Sequence, residues 1–293
     1  MRVAVMGAGG VGSYLGGMLS RSGAQVTLIC RGRHLEAVRR QGLAVSTPKE
    51  SFHVRVEASE LATGQADVVL LGVKLYDLER AARQILPMLG PHSQVVTLQN
   101  GVTAAEEAGA IVGSERVAAG AVFLNARLVA PGTVDSRSEI NTVVFDRKAA
   151  ALRDLCVAAG VDAKLSDDIR VDLWRKFVPV AGLSALSCLS RQPIGPVRDD
   201  PALRALYRQA MQEVAALAAA KGVALEADIV ERTLALAARY KYDARVSMLE
   251  DLEAGKPLEL EWLSGYVSRE ARRLGVAAPF HDMAYACLKP LSK

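Results

Sequence analysis

The sequence predicts an α/β fold in which a doubly wound sheet, helices on both faces, is followed by an all-helical C-terminal domain. Three observations carry this. A short apolar run at Arg2–Met6 leads into a glycine cluster and then a helix-compatible stretch. Up to about residue 165, β-branched runs alternate with amphipathic segments. From Asp167 onward the strand signals stop and long alanine- and leucine-rich segments take over.

The first strand, Arg2–Met6, ends in Gly7-Ala8-Gly9-Gly10-Val11-Gly12. In the pattern Gly7-x-Gly9-x-x-Gly12, the first glycine allows a tight turn out of the strand. The second lets backbone approach a pyrophosphate without a Cβ in the way. The third lets the next helix pack closely on the sheet, with its N-terminal N–H groups facing the phosphate. Placed between a strand and the helical spacing of Val11, Leu15, Met18 and Leu19, the cluster marks a Rossmann-type dinucleotide site. Further strands are expected at Gln25–Ile29, Val68–Val73, Val95–Leu98, Val117–Phe123 and Thr142–Phe145, with helices at Leu35–Gln41, Asp77–Leu89 and Lys148–Ala159. The stretch Ala121–Ile140, with Pro131-Gly132, reads as antiparallel strand and turn at the far edge of the sheet.

In the second half, helices are expected at Asp168–Ser190, Pro201–Lys221, Glu226–Ala238, Ala244–Ala254, Leu258–Leu274 and Pro279–Leu288. Gly222 and Gly275 stand where C-terminal caps belong, and Pro201 and Pro279 where helices begin. The boundary falls near Ser166, giving a dinucleotide-binding domain over residues 1–166 and a helical substrate and catalytic domain over 167–293. A ligand at the carboxyl ends of the strands would then be closed in by the helical half, and active-site residues should come from both.

Bulk properties narrow the function. A length of 293 residues suits two ordinary domains, and a hydrophobic content of 51% without low-complexity tracts suits an ordered globular chain. The net charge of +4 is dispersed, which argues against nucleic acid as a partner. Cys30, Cys156, Cys188 and Cys287 form no C-x-x-C pair, so reduced thiols are expected and no metal site. The longest uncharged stretch, Phe177–Ser190, contains Pro179 and falls short of the ~20 residues that span a bilayer. With no signal-peptide pattern either, a cytoplasmic protein without membrane association is expected. Apolar helix faces in the second half suit a homodimer as well as a monomer's own core, and the pattern leaves both open.

The second strand ends in Cys30-Arg31-Gly32-Arg33-His34, without the acidic residue that would accept hydrogen bonds from ribose hydroxyls. The Arg31 guanidinium suits a 2′-phosphate, so NADP (as NADPH) is the expected cofactor. Lys176 shares a helical face with Leu173, Val180, Leu183 and Ser187. A lysine on such a stripe either has a partner for its charge or snorkels to the surface, and spacing alone favours neither. Glu259, after Pro257, is placed near a helix start, with Trp262, Leu263 and Tyr266 following on its face. There it would serve either the helix dipole or a buried site, whereas Glu261 is expected to be solvated. Lys74 and Asn100 fall at the ends of apolar strands, where such sheets bind ligands.

In series, Gly7–Gly12, Cys30–His34, Gly72-Val73-Lys74, Leu98-Gln99-Asn100-Gly101-Val102, Leu173-Trp174-Arg175-Lys176, Ser247-Met248-Leu249-Glu250-Asp251 and Glu259 resemble the 2-dehydropantoate 2-reductases (ketopantoate reductases) over essentially the whole chain. The resemblance implies NADPH-dependent reduction of a 2-oxo acid to a 2-hydroxy acid, in the reference reaction 2-dehydropantoate to pantoate on the way to pantothenate. It also implies catalytic roles for Lys176 and Glu259, cofactor and substrate contacts for Lys74 and Asn100, and a substrate-carboxylate contact for Ser247. The family's substrate pocket is lined by asparagines; Val180, Ser184 and Ala244 stand at those positions here, which implies a less polar pocket. Two alternatives follow: a paralogous D-2-hydroxyacid dehydrogenase acting on a less polar 2-oxo acid, and a non-catalytic NADPH-binding or sensing protein.

Overall fold

The strands β1 (Arg2–Met6), β2 (Gln25–Ile29), β5 (Glu57–Ser59), β6 (Ala66–Leu71), β7 (Leu89–Thr97), β8 (Val117–Phe123), β11 (Thr142–Phe145) and β12 (Asp162–Leu165) form one sheet, with valine, leucine and isoleucine runs at its centre and the short polar β5 and β12 at its edges. The intervening β3 (Leu43–Ser46), β4 (Ser51–Val54), β9 (Arg127–Ala130) and β10 (Thr133–Asp135) form a second. The computed structural model describes residues 1–136 and 141–292.

The large sheet has the order β12-β11-β8-β7-β6-β1-β2-β5. Its pairings are parallel except β8 with β11. Val3 aligns with Val26 on one side and Val68 on the other, so β1 is flanked by β2 and β6. The chain reverses its direction of travel across the sheet at β1, which makes the carboxyl ends of β1 and β6 the topological switch point. Helices α1 (Gly10–Arg21), α2 (Gly32–Gln41), α3 (Leu78–Gln84), α4 (Ala104–Val112) and α5 (Ala150–Ala158) complete this part of the chain. Val5, Leu15, Leu19, Leu28, Leu70, Val96 and Phe145 are fully buried in its core, each contributing on the order of 1.5–3 kcal/mol by leaving water.

The second sheet, β4-β3-β10-β9, corrects the expectation of an edge hairpin. Pro131-Gly132 does turn between antiparallel β9 and β10, but β10 then pairs in parallel with β3 rather than with the large sheet. Residues 137–140, the end of the stretch assigned to that hairpin, lie outside the described residues. The helix expected over Asp77–Leu89 is shorter, with 3₁₀ turns at Leu75–Asp77 and Leu86–Met88, because Pro87 cannot extend it.

Residues 1–169 and 170–293 are separate compact units. The second unit consists of α6 (Ile169–Ser190), α7 (Ile194–Asp199), α8 (Pro201–Ala220), α9 (Ile229–Ala237), α10 (Ser247–Glu253), α11 (Ser264–Leu274) and α12 (Pro279–Leu288), without strands among its described residues. Asp200 caps α8 by accepting the Leu203 N–H at 2.8 Å, with Pro201 at the first helical position. The buried Glu213 carboxylate does the same for α12, accepting the Phe280 and His281 N–H groups at 2.9 and 3.1 Å. Nothing in Leu258–Leu263 is helical: Leu258, Glu259, Leu260 and Leu263 are all buried within a backbone turn, and α11 starts only at Ser264.

Candidate active site

The glycine loop is built by close backbone contact. Gly7 turns the chain out of β1 at φ +96°, and its N–H donates to the Ile29 carbonyl at 3.1 Å. A Cβ on Gly7 would lie 2.6 Å from Val73 Cγ1, and one on Gly12 would run into the Gly7 carbonyl. Gly9 is different: nothing lies within 4 Å of the space its Cβ would take. It is the N-cap of α1, and no side chain caps that helix. A tight turn, an open position and a helix start with uncapped N–H groups make a cradle that fits a dinucleotide pyrophosphate. Ala8, Gly10 and Val11 complete the loop and the first turn of α1.

Arg31 is exposed in extended backbone as the N-cap of α2, with Arg33 exposed in the first turn and no acidic residue there. Lys74 is half-buried just beyond β6, and Asn100 half-buried just beyond β7. Both therefore lie at the carboxyl end of the sheet, beside the switch point. Gln99 joins the two loops: its Nε2 donates to the Leu71 and Val73 carbonyls at 2.9 and 3.1 Å, and its Oε1 accepts the Leu98 N–H at 3.0 Å. Sequence reasoning assigned Gln99 no role. The available signal was an amide directly after the apolar run Val95–Leu98, where buried polar groups need partners.

In the helical unit, Lys176 is carried by α6. Of the residues on the face it shares, Leu173, Val180 and Leu183 are half-buried and Ser187 is fully buried, while the core face carries Trp174, Phe177, Val178, Ala181 and Ala185. Trp174 and Phe177 meet Tyr266 of α11 with ring centroids 6.4 and 5.9 Å away, which fixes α6 against the segment following Glu259. Arg175 is held by Asp172 at 2.8 Å and Glu226 at 2.6 Å, so the neighbouring guanidinium is structural. Although Lys176 keeps some exposed area, its ammonium is surrounded by protein, and burial lowers its pKa to about 8 against the opposing pull of Glu259.

Glu259 is 5% exposed. Because it precedes α11 by a full turn, the helix-dipole role does not apply. Glu261, expected to be solvated, is engaged by Arg269 at 2.6 Å and accepts the Tyr285 hydroxyl at 2.6 Å. Val180 and Ser184 follow Lys176 on α6, half-buried and buried respectively. Ser247 is the exposed first residue of α10, and Ala244 lies in the loop before it rather than one helical turn earlier. That loop is tied down by the Ile194 N–H donating to the Ala244 carbonyl at 2.9 Å. Among the described residues there is no cluster able to hold a metal ion, and no helix long and apolar enough to cross a membrane.

A glycine-loop sheet unit followed by a helical unit is the architecture of a nucleotide-dependent oxidoreductase. Residues 3–148 match the family described as ketopantoate reductase PanE/ApbA, and residues 168–292 match its C-terminal counterpart. The chain belongs to the ketopantoate reductase family. It is 30% identical to the 2-dehydropantoate 2-reductase of Mesorhizobium japonicum, over 100% of this chain and 98% of that one. The crystal structure of a PanE/ApbA family ketopantoate reductase from Ralstonia eutropha JMP134 superposes with a TM-score of 0.93 at 34% identity, covering 99% and 98% of the two chains. A D-mandelate dehydrogenase solved with NADH and anilino(oxo)acetate shares the fold, with a TM-score of 0.92, 22% identity and 99% and 98% coverage.

Proposed function

We propose that this protein is a cytoplasmic NADPH-dependent reductase that converts a 2-oxo acid to a 2-hydroxy acid, with 2-dehydropantoate as substrate and pantoate as product. The observation that carries the reading is Lys176: a half-buried lysine whose ammonium is enclosed by protein, its pKa lowered by burial to about 8 against the opposing pull of Glu259. When bound, the dinucleotide supplies a hydride to the substrate carbonyl carbon. Negative charge then develops on the carbonyl oxygen, and a positioned acid is needed there. Lys176 is assigned to donate that proton. Glu259 is assigned to hold the ammonium in its charged form and to contact the substrate. The glycine loop from Gly7 to Gly12 holds the pyrophosphate, Arg31 the 2′-phosphate, and Lys74 and Asn100 the reacting end of the bound pair. Ser247 is assigned to the substrate carboxylate.

A second reading is favoured by one observation. Val180 and Ser184, on the helix of Lys176, offer an alkyl group and a small hydroxyl where the family's amides would stand. That pattern suits a 2-oxo acid with a plain branched or aromatic side chain, the chemistry of a D-2-hydroxyacid dehydrogenase. The deciding experiment follows oxidation of NADPH and NADH by the purified protein with 2-dehydropantoate and with branched and aromatic 2-oxo acids. The first reading expects NADPH and 2-dehydropantoate to be preferred. Preference for an aromatic acid would install the second, and NADPH binding without turnover of any 2-oxo acid would leave a non-catalytic binder.

A further inference from the structure

His34 ends the segment that carries Arg31, and the function proposed above gives it no task. Within the first unit its half-buried imidazole joins three segments. The Gly132 N–H donates to Nδ1 at 3.0 Å, so Nδ1 is the bare nitrogen and Nε2 carries the hydrogen. Nε2 lies 3.3 Å from Ser13 Oγ, and the Ser13 hydroxyl donates to the Ala8 carbonyl at 2.8 Å. The three bonds thus run in one self-consistent direction, from Gly132 through His34 and Ser13 to Ala8. Burial lowers the pKa of His34, favouring the neutral ring that this direction requires.

The relay starts in the β9–β10 turn, passes through the first turn of α2 and ends on the glycine loop. Packing reinforces it at both ends. A Cβ on Gly10 would collide with the Ala126 carbonyl, and one on Gly132 would lie 3.1 Å from Ala37 Cβ of α2. The hairpin of the small sheet is therefore seated on the glycine loop and on α2 together. Arg31, the N-cap of α2, is three residues from the imidazole that anchors this junction.

We propose that His34 is a positioning residue for dinucleotide binding: it fixes the Arg31-bearing start of α2 relative to the glycine loop, and so sets the preference for a 2′-phosphorylated over an unphosphorylated adenosine ribose. The inference rests on the dinucleotide reading of this site. An unphosphorylated dinucleotide gains nothing from a well-placed Arg31, so loss of the anchor penalises NADPH more than NADH.

The test measures equilibrium dissociation constants for NADPH and NADH, with steady-state kinetics, for the full-length wild type and for His34→Ala, His34→Asn and Ser13→Ala. His34→Ala should weaken NADPH binding about 10-fold, the scale of one or two lost hydrogen bonds, and weaken NADH binding much less, with kcat at saturating NADPH within about 2-fold. His34→Asn can present Oδ1 to the Gly132 N–H and should recover part of the preference. Ser13→Ala cuts the relay at its centre and should shift the preference in the same direction, which keeps the test decisive if His34→Ala fails to fold. Equal losses for the two dinucleotides, or an unchanged ratio in the folded variants, would overturn the inference while leaving the site reading intact. A wild type that binds neither dinucleotide would overturn the site reading itself.

Discussion

Glu259 returns to Lys176 part of the proton affinity that burial removes. An isolated buried ammonium would lose its proton readily, and an exposed one would be too weak an acid to release its proton at neutral pH. The balance puts the lysine at about 8, close to the range where a general acid works best. If Lys176 is the proton donor proposed, its protonated form is the active one in reduction, and kcat/KM should fall as pH rises through about 8. Lys176→Ala should lower turnover by about 10²- to 10⁴-fold, the span for losing a positioned proton donor, with NADPH affinity little changed. Glu259→Gln removes the field that favours the ammonium, and the alkaline limb should move to lower pH. A pH–rate profile of the three proteins checks all of this, and a near-normal Lys176→Ala would release that residue from its role.

Arg31 stands exposed at the start of α2 with no acid beside it in the first turn. Replacing it by Asp exchanges a group suited to a 2′-phosphate for one that repels a phosphate and accepts ribose hydroxyls instead. The ratio of kcat/KM for NADPH over NADH should fall by roughly 10²-fold, the order of losing a charge-assisted pair. An unaltered ratio would remove Arg31 from the 2′-phosphate role.

Gly9 and Gly12 separate binding from folding. Gly9 has open space where a Cβ would go, and its φ of −72° is available to any residue. Gly9→Ala should leave the melting temperature near wild type and abolish tight NADPH binding, because the methyl would enter the space proposed for the pyrophosphate. Gly12→Ala drives a methyl into the Gly7 carbonyl and should cost about 1–3 kcal/mol of stability as an overpacked site. Thermal melts alongside NADPH titrations distinguish the two outcomes.

His281 is fully buried and neutral, its Nε2 donating to the Ala210 carbonyl and its Nδ1 accepting from the Ser264 hydroxyl, each at 3.1 Å. Burial lowers its pKa from 6.5 to about 4. Between those values the unfolded chain binds the proton more readily, so stability is lost as pH falls through this window. The loss amounts to about 3 kcal/mol when complete. Urea unfolding of the wild type and His281→Gln from pH 7 to 4 should show the wild type's extra pH dependence, and parallel curves would refute it.

The sequence announced those parts of the fold whose local signal and tertiary role agree. Arg2–Met6, Gln25–Ile29, Val117–Phe123, Thr142–Phe145 and Pro279–Leu288 have the bounds expected from pattern alone, since continuous apolar runs or a proline start leave little choice. The small sheet was not visible. Leu43–Ser46 and Ser51–Val54 are four-residue strands among Ser, Thr, Pro, Lys and Glu, and they hold together through pairing with each other and with β10. The Leu258–Leu263 error has another cause. Its spacing fits a helical stripe, yet Leu258, Glu259 and Leu260 are buried in succession, which one helix face cannot do. For the site, the glycine loop was legible from pattern and Lys176 from the family resemblance; Gln99 carried only the weak signal of an amide after an apolar run, and the partners of His34, Ser13 and Gly132, are reached through space and leave no local trace.

A single amide ties two loops at the carboxyl end of the sheet into one mechanical part. With Gln99 bridging the ends of β6 and β7, Lys74 and Asn100 share a common mount, and displacing either drags the other with it. Engineering new substrate scope by shifting one of them would therefore disturb both at once. Val180 and Ser184 lie on α6, outside that mount, so if they line the substrate pocket as proposed, changing them would leave it alone.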